Sequence, residues 1–124
     1  MSNQIVWVDI PVHDLDRAIK FYSAVLDARL TKEGGDKLTF GLLPHSGTHV
    51  GGCLYVPDND NAPSQTGPLI YLNATGRLKQ AAEAVVTHGG QVIQPLHPIG
   101  QHGFRVIALD PEGNRIALHA PTDQ

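Results

Sequence analysis

The chain has 124 residues, 41% hydrophobic and 17% charged, a composition typical of one globular domain and a length too short for two. Nine Lys and Arg against twelve Asp and Glu give a formal charge of −3 with no basic run to follow a phosphate backbone, so no nucleic-acid partner is expected. The single cysteine, Cys53, excludes an internal disulfide, the apolar runs fall far short of the roughly 20 residues that span a bilayer, and Met1-Ser2-Asn3-Gln4 opens no cationic, apolar leader, so the expectation is a reduced, cytoplasmic protein with no membrane partner.

Residues 5–10 alternate as a strand, with Val6, Val8 and Ile10 on one face and Ile5, Trp7 and Asp9 on a mixed face. Asp14 then stands as an N-cap and Asp16 lies in the first turn of a helix along which Leu15, Ala18, Ile19, Tyr22, Val25 and Leu26 recur at helical spacing. Strands are expected near 28–32, 37–43 and 49–56, with a turn at Glu33-Gly34-Gly35-Asp36. Residues 57–67 are polar and rich in Pro, Asn and Asp, and read as a surface connector. A strand at 69–73 follows, then a helix at 77–87 whose Leu78, Ala81, Ala82, Val85 and Val86 are expected to face inward, with Gly89-Gly90 as its stop. Strands near 91–96, 104–109 and 115–119 end the chain, the last two joined by Asp110-Pro111-Glu112-Gly113-Asn114, where Pro and Gly suit a type I turn.

The order βαβββ therefore occurs twice. Placing Val12 on Ala74 also places Leu26 on His88 and Leu30 on Val92 without a gap, an offset of 62; Leu54 on Leu118 gives 64, the difference falling in a hairpin loop. The expected fold class is α+β: a single domain, 1–124, in which modules 1–56 and 68–120 form a curled mixed sheet with a cleft, and the helices pack on its outer face.

Ile10-Pro11-Val12-His13-Asp14-Leu15-Asp16-Arg17-Ala18 with Phe21-Tyr22, the helix ending at Gly89-Gly90, and Asp110-Pro111-Glu112-Gly113-Asn114 followed by Ile116 resemble the vicinal oxygen chelate superfamily over essentially the whole chain. That superfamily includes glyoxalase I, extradiol dioxygenases, fosfomycin resistance enzymes and bleomycin-binding proteins. The resemblance implies a small-molecule ligand and a homodimer. It also implies metal-ligand slots on the first and last strand of each module, which fall here on Trp7, Cys53, Leu69 and Ala117. Indole N–H only donates, Leu and Ala offer no ligand, and one thiol is no site, so neither a metal nor another cofactor is expected.

Strand periodicity puts the residues two beyond those slots, Asp9, Tyr55, Tyr71 and His119, on the same cleft wall. A catalytic reading has Asp9 orient His119 as general base while Tyr71 donates to a developing oxyanion, with Trp7 as a stacking wall and Tyr55, Asn73 and His102 as ligand contacts. The bland reading of the same residues is a structural Asp-His pair and an aromatic that fills space, with Cys53 a small buried apolar residue. Three functions stay open: a glyoxalase-like protein that binds and transforms a small oxygenated or carbonyl molecule, by lyase or isomerase chemistry, without a metal; a drug- or metabolite-sequestering protein with no catalysis; and a metalloenzyme with ligands drawn from His49, Cys53, His102 and His119.

Overall fold

The computed structural model describes residues 3–34, 39–47, 49–58 and 61–124. The chain runs β1 (Trp7–Pro11), α1 (Leu15–Leu26), β2 (Thr31–Gly34), β3 (Thr39–Leu42), β4 (Gly51–Tyr55), β5 (Ile70–Asn73), α2 (Leu78–Thr87), β6 (Gln91–Pro98), β7 (Phe104–Leu109) and β8 (Arg115–Ala120), so βαβββ does recur. Part of the turn expected at 33–36 and the start of the strand expected at 37–43 fall on residues 35–38, outside the described residues.

Each module forms a four-stranded mixed sheet, in the orders β1-β4-β3-β2 and β5-β8-β7-β6, with the parallel pair formed by its first and last strands. The offsets read from the sequence reappear as equivalent hydrogen bonds: Val12 N–H donates to the Tyr55 carbonyl at 2.8 Å, and Ala74 N–H to the His119 carbonyl at 2.7 Å. The two sheets are not paired with each other. β1 and β5, each an edge of its own sheet, line the same crevices, and these crevices become the cleft.

Local chemistry sets the helices. The Asp14 side chain caps α1 by accepting the Arg17 N–H at 3.1 Å, and Asp16 lies at the positive end of the helix. Ala18, Phe21, Tyr22 and Val25 are buried, with Leu15, Ile19 and Leu26 packed beside them. In α2 the buried stripe is Leu78, Ala81 and Val85; Val86, expected to face inward, is 62% exposed, because it lies about 100° around the helix from Val85 and beyond the contact with the sheet. The two helices pack on each other, and one buried cluster runs through both modules. No helix among the described residues is long and apolar enough to cross a membrane.

The β7–β8 turn does more than reverse the chain. Asp110, Glu112 and Asn114 are its buried polar residues, and their partners lie mostly in the first module. Glu112 Oε1 accepts the His13 and Asp14 N–H groups at 2.7 and 2.8 Å, while Oε2 accepts Arg17 Nε at 2.6 Å. Asn114 Nδ2 donates to the Pro11 carbonyl at 2.7 Å, and the Tyr22 hydroxyl donates to Asp110 Oδ2 at 2.5 Å. Burial alone would raise the Glu112 carboxyl; the Arg17 guanidinium and the two backbone N–H groups outweigh it and hold the carboxyl below the usual carboxylate range.

Truncation with Glu112→Ala strands the His13 and Asp14 donors, and is expected to cost about 2–3 kcal/mol, read from urea midpoints at pH 7. Because the folded-state pKa is depressed, this stabilisation is present above the unfolded value of about 4.3 and is lost as pH falls through the folded value. Glu112→Gln should therefore be less stable at pH 7 and should lose less on acidification than the parent chain; parallel acid limbs would refute the assignment.

Candidate ligand-binding cleft

The alternation of β1 turns Val8 and Ile10 toward the core and leaves Trp7 and Asp9 exposed. Trp7 sits opposite Gly51 on β4, and Asp9 opposite Cys53. The glycine leaves room for the aromatic pair: a Cβ at position 51 would lie 3.0 Å from Trp7 Cζ3 and 3.3 Å from the His45 ring, which meets the indole edge-on, so either side chain would have to shift. Asp9 Oδ1 accepts Trp7 Nε1 at 2.7 Å and the Cys53 thiol at 3.3 Å, and its Oδ2 has no partner among the described residues. One carboxylate thus orients the indole and accepts from the thiol. Burial first, then the hydrogen bond to Asp9 and the charge of Asp9, push Cys53 up to about 11.

In the second module β5 presents Tyr71 opposite Ala117 and Asn73 opposite His119. The Tyr71 hydroxyl accepts Arg105 Nη1 at 2.6 Å. His119 directs its Nε2–H at the His102 carbonyl, 2.7 Å away. Asn73 Oδ1 is engaged locally, accepting both the N–H and the hydroxyl of Thr75 ahead of α2, and the Tyr55 hydroxyl accepts Asn61 Nδ2.

The structure brings Trp7, Asp9 and Cys53 together on one sheet and Tyr71 and His119 together on the other, with His102 in the turn before β7. It does not join Asp9 to His119, so the expected base-orienter pair is not formed: Asp9 is committed to Trp7 and Cys53, and His119 to a backbone carbonyl. The shared wall expected for these residues is split by the β1/β5 gap. The metal slots implied by the resemblance do not fit a divalent cation, because the indole N–H is already donated to Asp9, the thiol is held protonated, and Leu69 and Ala117 carry no donor atom. The alternative set His49, Cys53, His102 and His119 does not converge either: among the described residues no group of three His, Cys, Asp or Glu side chains could hold a metal ion.

Two spaces open between the sheets. The smaller, about 430 Å³, is lined by Val8, Ile10, Leu26, Leu43, Ile70 and Leu72 among others, and has no charged side chain. The larger, about 780 Å³, takes Trp7 and Asp9 from β1, Tyr71 from β5 and Arg115 from β8, over an apolar floor that includes Leu69, Ile70 and Ile116. Asn61 and Ser64 of the connector close one side of it. Neither Arg115 nor Asn61 is marked out by sequence motif; their places follow from the connector crossing the mouth of the gap, where Ser64 N–H donates to Asn114 Oδ1 at 3.2 Å.

A family model described as "Glyoxalase/Bleomycin resistance protein/Dioxygenase superfamily" matches residues 4–118. No curated protein matches the chain in sequence. Among solved structures, the chain is similar to a glyoxalase/bleomycin resistance protein from Albidiferax ferrireducens T118, at 20% identity and a TM-score of 0.76 over 95% of this chain and 98% of that one. It is also similar to the fosfomycin resistance protein FosX from Listeria monocytogenes, at 17% identity and a TM-score of 0.66 over 97% and 94%. A mutant of glyoxalase I from Zea mays superposes at 22% identity and a TM-score of 0.70, where 94% of this chain covers 45% of that one. At these identities the likeness to the solved structures is one of fold.

The Cys53 environment gives a direct test. With the thiol at about 11, its thiolate fraction at pH 8 is about 100-fold below that of a thiol at the ordinary value of 9.0, so iodoacetamide should alkylate the folded chain about that much more slowly than the urea-unfolded chain. Asp9→Asn removes the charge that adds to burial in raising the thiol and should speed the reaction in part; an unchanged rate would separate Asp9 from the thiol.

Proposed function

The chain belongs to the glyoxalase/bleomycin resistance protein/dioxygenase superfamily, and within it we propose a cytoplasmic binding protein that holds a small planar, hydrogen-bond-donating organic molecule between β1 and β5 and changes no bond in it. The observation that carries this reading is the cleft of about 780 Å³, whose aromatic side chains Trp7 and Tyr71 come from opposite sheets and whose carboxylate, Asp9, keeps an oxygen for a ligand. That volume lies within the roughly 300–1,000 Å³ usual for small-molecule sites, and an apolar floor with a few polar groups is the usual lining. Trp7 is 43% exposed and Tyr71 47%, large apolar surfaces left uncovered in a chain with a well-filled core.

Binding without turnover is favoured over catalysis because the groups able to move a proton are not paired with one another across the gap. The thiol is protonated, His119 is tied to a carbonyl, and the Asp9–His119 contact that would make a base is not formed. The same rim supports a homodimer. Ile5, Val6 and Val50 are exposed beside Trp7, an apolar border that a second copy would cover while completing the cleft.

Trp7 is the single tryptophan, so its fluorescence reports the cleft directly. Titration with 9-aminoacridine, a planar aromatic cation, and with metal-free bleomycin should give saturable quenching with full recovery of the unmodified compound. Asp9→Asn should weaken binding about tenfold through the lost charge-assisted hydrogen bond, and Trp7→Ala, followed by calorimetry, about 5- to 30-fold. Conversion of either compound, or quenching that never saturates, would overturn the reading. Light scattering should find a dimer at micromolar concentration, and a monomer would remove the second copy from it.

A further inference from the structure

Away from the β1/β5 gap, the inner face of the second sheet holds an arginine that no acidic group among the described residues pairs with. The register of β7 with β8 sets Arg105 opposite His119, and β5 brings Tyr71 within reach. Arg105 is half-buried, and both of its recorded hydrogen bonds go to neutral acceptors. Nη1 donates to the Tyr71 hydroxyl at 2.6 Å, with the guanidinium carbon 5.9 Å from the centre of that ring. Nε donates to His97 Nε2 at 3.1 Å. A guanidinium only donates, so His97 Nε2 must be the unprotonated nitrogen; the proton sits on Nδ1, which donates to the Pro95 carbonyl at 2.8 Å. The histidine is therefore neutral in this arrangement.

The ion pairs among the described residues join Arg17 to Glu112, Lys32 to Asp16 and Arg77 to Asp27; none reaches Arg105. The guanidinium is held in one orientation by these two anchors. It borders a concavity of about 450 Å³ lined by Tyr71, Ile99, His102, Arg105 and His119. Because the Tyr71 hydroxyl accepts from Arg105, its own proton remains to be given; His119 spends Nε2 on the His102 carbonyl and has a second ring nitrogen. Ile99 and the Tyr71 ring supply apolar walls.

We propose that this concavity is a carboxylate site: Arg105 takes the carboxylate through the N–H groups not committed to Tyr71 and His97, Tyr71 and His119 flank it, and Ile99 covers a compact apolar body attached to the acid. The preference follows from geometry as well as charge. A planar, oriented fork suits a planar two-oxygen anion, and the apolar wall selects against a bare inorganic ion. The residue that defines the site does not line the β1/β5 cleft, and Tyr71 is the one side chain that borders both.

Benzoate and benzamide separate charge from shape, having the same ring with and without the anion. Each is titrated at constant ionic strength into ¹⁵N-labelled protein while the Arg105 Nε–H and His119 ring resonances are followed. Saturable shifts with benzoate, at least about tenfold tighter than with benzamide, are expected; Arg105→Gln should lose that advantage and Arg105→Lys should keep part of it. Equal binding of the two compounds, shifts linear in concentration, or an advantage that survives Arg105→Gln would each overturn the proposal. The comparison on the parent chain decides even if a variant fails to fold. Quenching of Trp7 by 9-aminoacridine is measured separately on the parent chain, so loss of the benzoate preference and loss of binding at the β1/β5 cleft give different results.

Discussion

A carboxylate with no exposed side-chain surface holds the two halves of this molecule in place. Glu112 lies on the last turn of the second module and takes its donors from the start of the first helix and from Arg17. A buried charge of this kind is favourable only when its lone pairs are met, and here three N–H groups meet them. Asp110 and Asn114 complete the network, so the end of β1, the base of α1 and the hairpin of β7 and β8 share one polar knot. Since β1 and β5 make no ladder with each other, the separation between the sheets is set at one end by this knot and behind by the packing of α1 on α2. The cleft is what those two restraints leave open.

Much of this architecture can be read in the chain. Equal offsets through both helices and a two-residue difference at the last strands expose the repeat, because each module must bury the same helix face against the same sheet. The Asp14 cap and the Gly89-Gly90 stop are local chemistry, decided within a turn, and both appear where their residue types demand. The Asp110-Pro111-Glu112-Gly113-Asn114 segment is legible as a turn for the same reason. Its role as a knot is not legible, since its partners stand 88 to 103 residues away and depend on how the modules dock.

The candidate site divides along the same line. Strand parity sets Asp9 on the same face of β1 as Trp7 because side-chain alternation is a property of each strand alone, but the single wall expected for Asp9, Tyr55, Tyr71 and His119 is divided between two sheets. Whether the two faces meet is a property of the gap, and the expected Asp9–His119 contact fails there. Arg105 carries no motif, yet one signal for it lies in the sequence: folding the β7–β8 hairpin at its turn pairs Leu109 with Arg115 and so Arg105 with His119. Its partner Tyr71 arrives from β5, whose parallel pairing with β8 the repeat also implies.

Net charge hides what these faces are. A formal charge of −3 over the chain suggests an acidic protein suited to neutral or cationic ligands. The inner face of the first sheet agrees, with Asp9 its exposed acid. The second sheet is the reverse: Arg105 has no acidic partner among the described residues, and Arg115 opens onto the larger space as well. At an ionic strength where charges more than about 10 Å apart are largely screened, a ligand responds to the face it touches and not to the sum over the surface. Two sheets built on one repeat have thus diverged to opposite local charge, with Tyr71 bordering both the gap and the arginine face. What this chain binds is decided by which side of Tyr71 the ligand occupies.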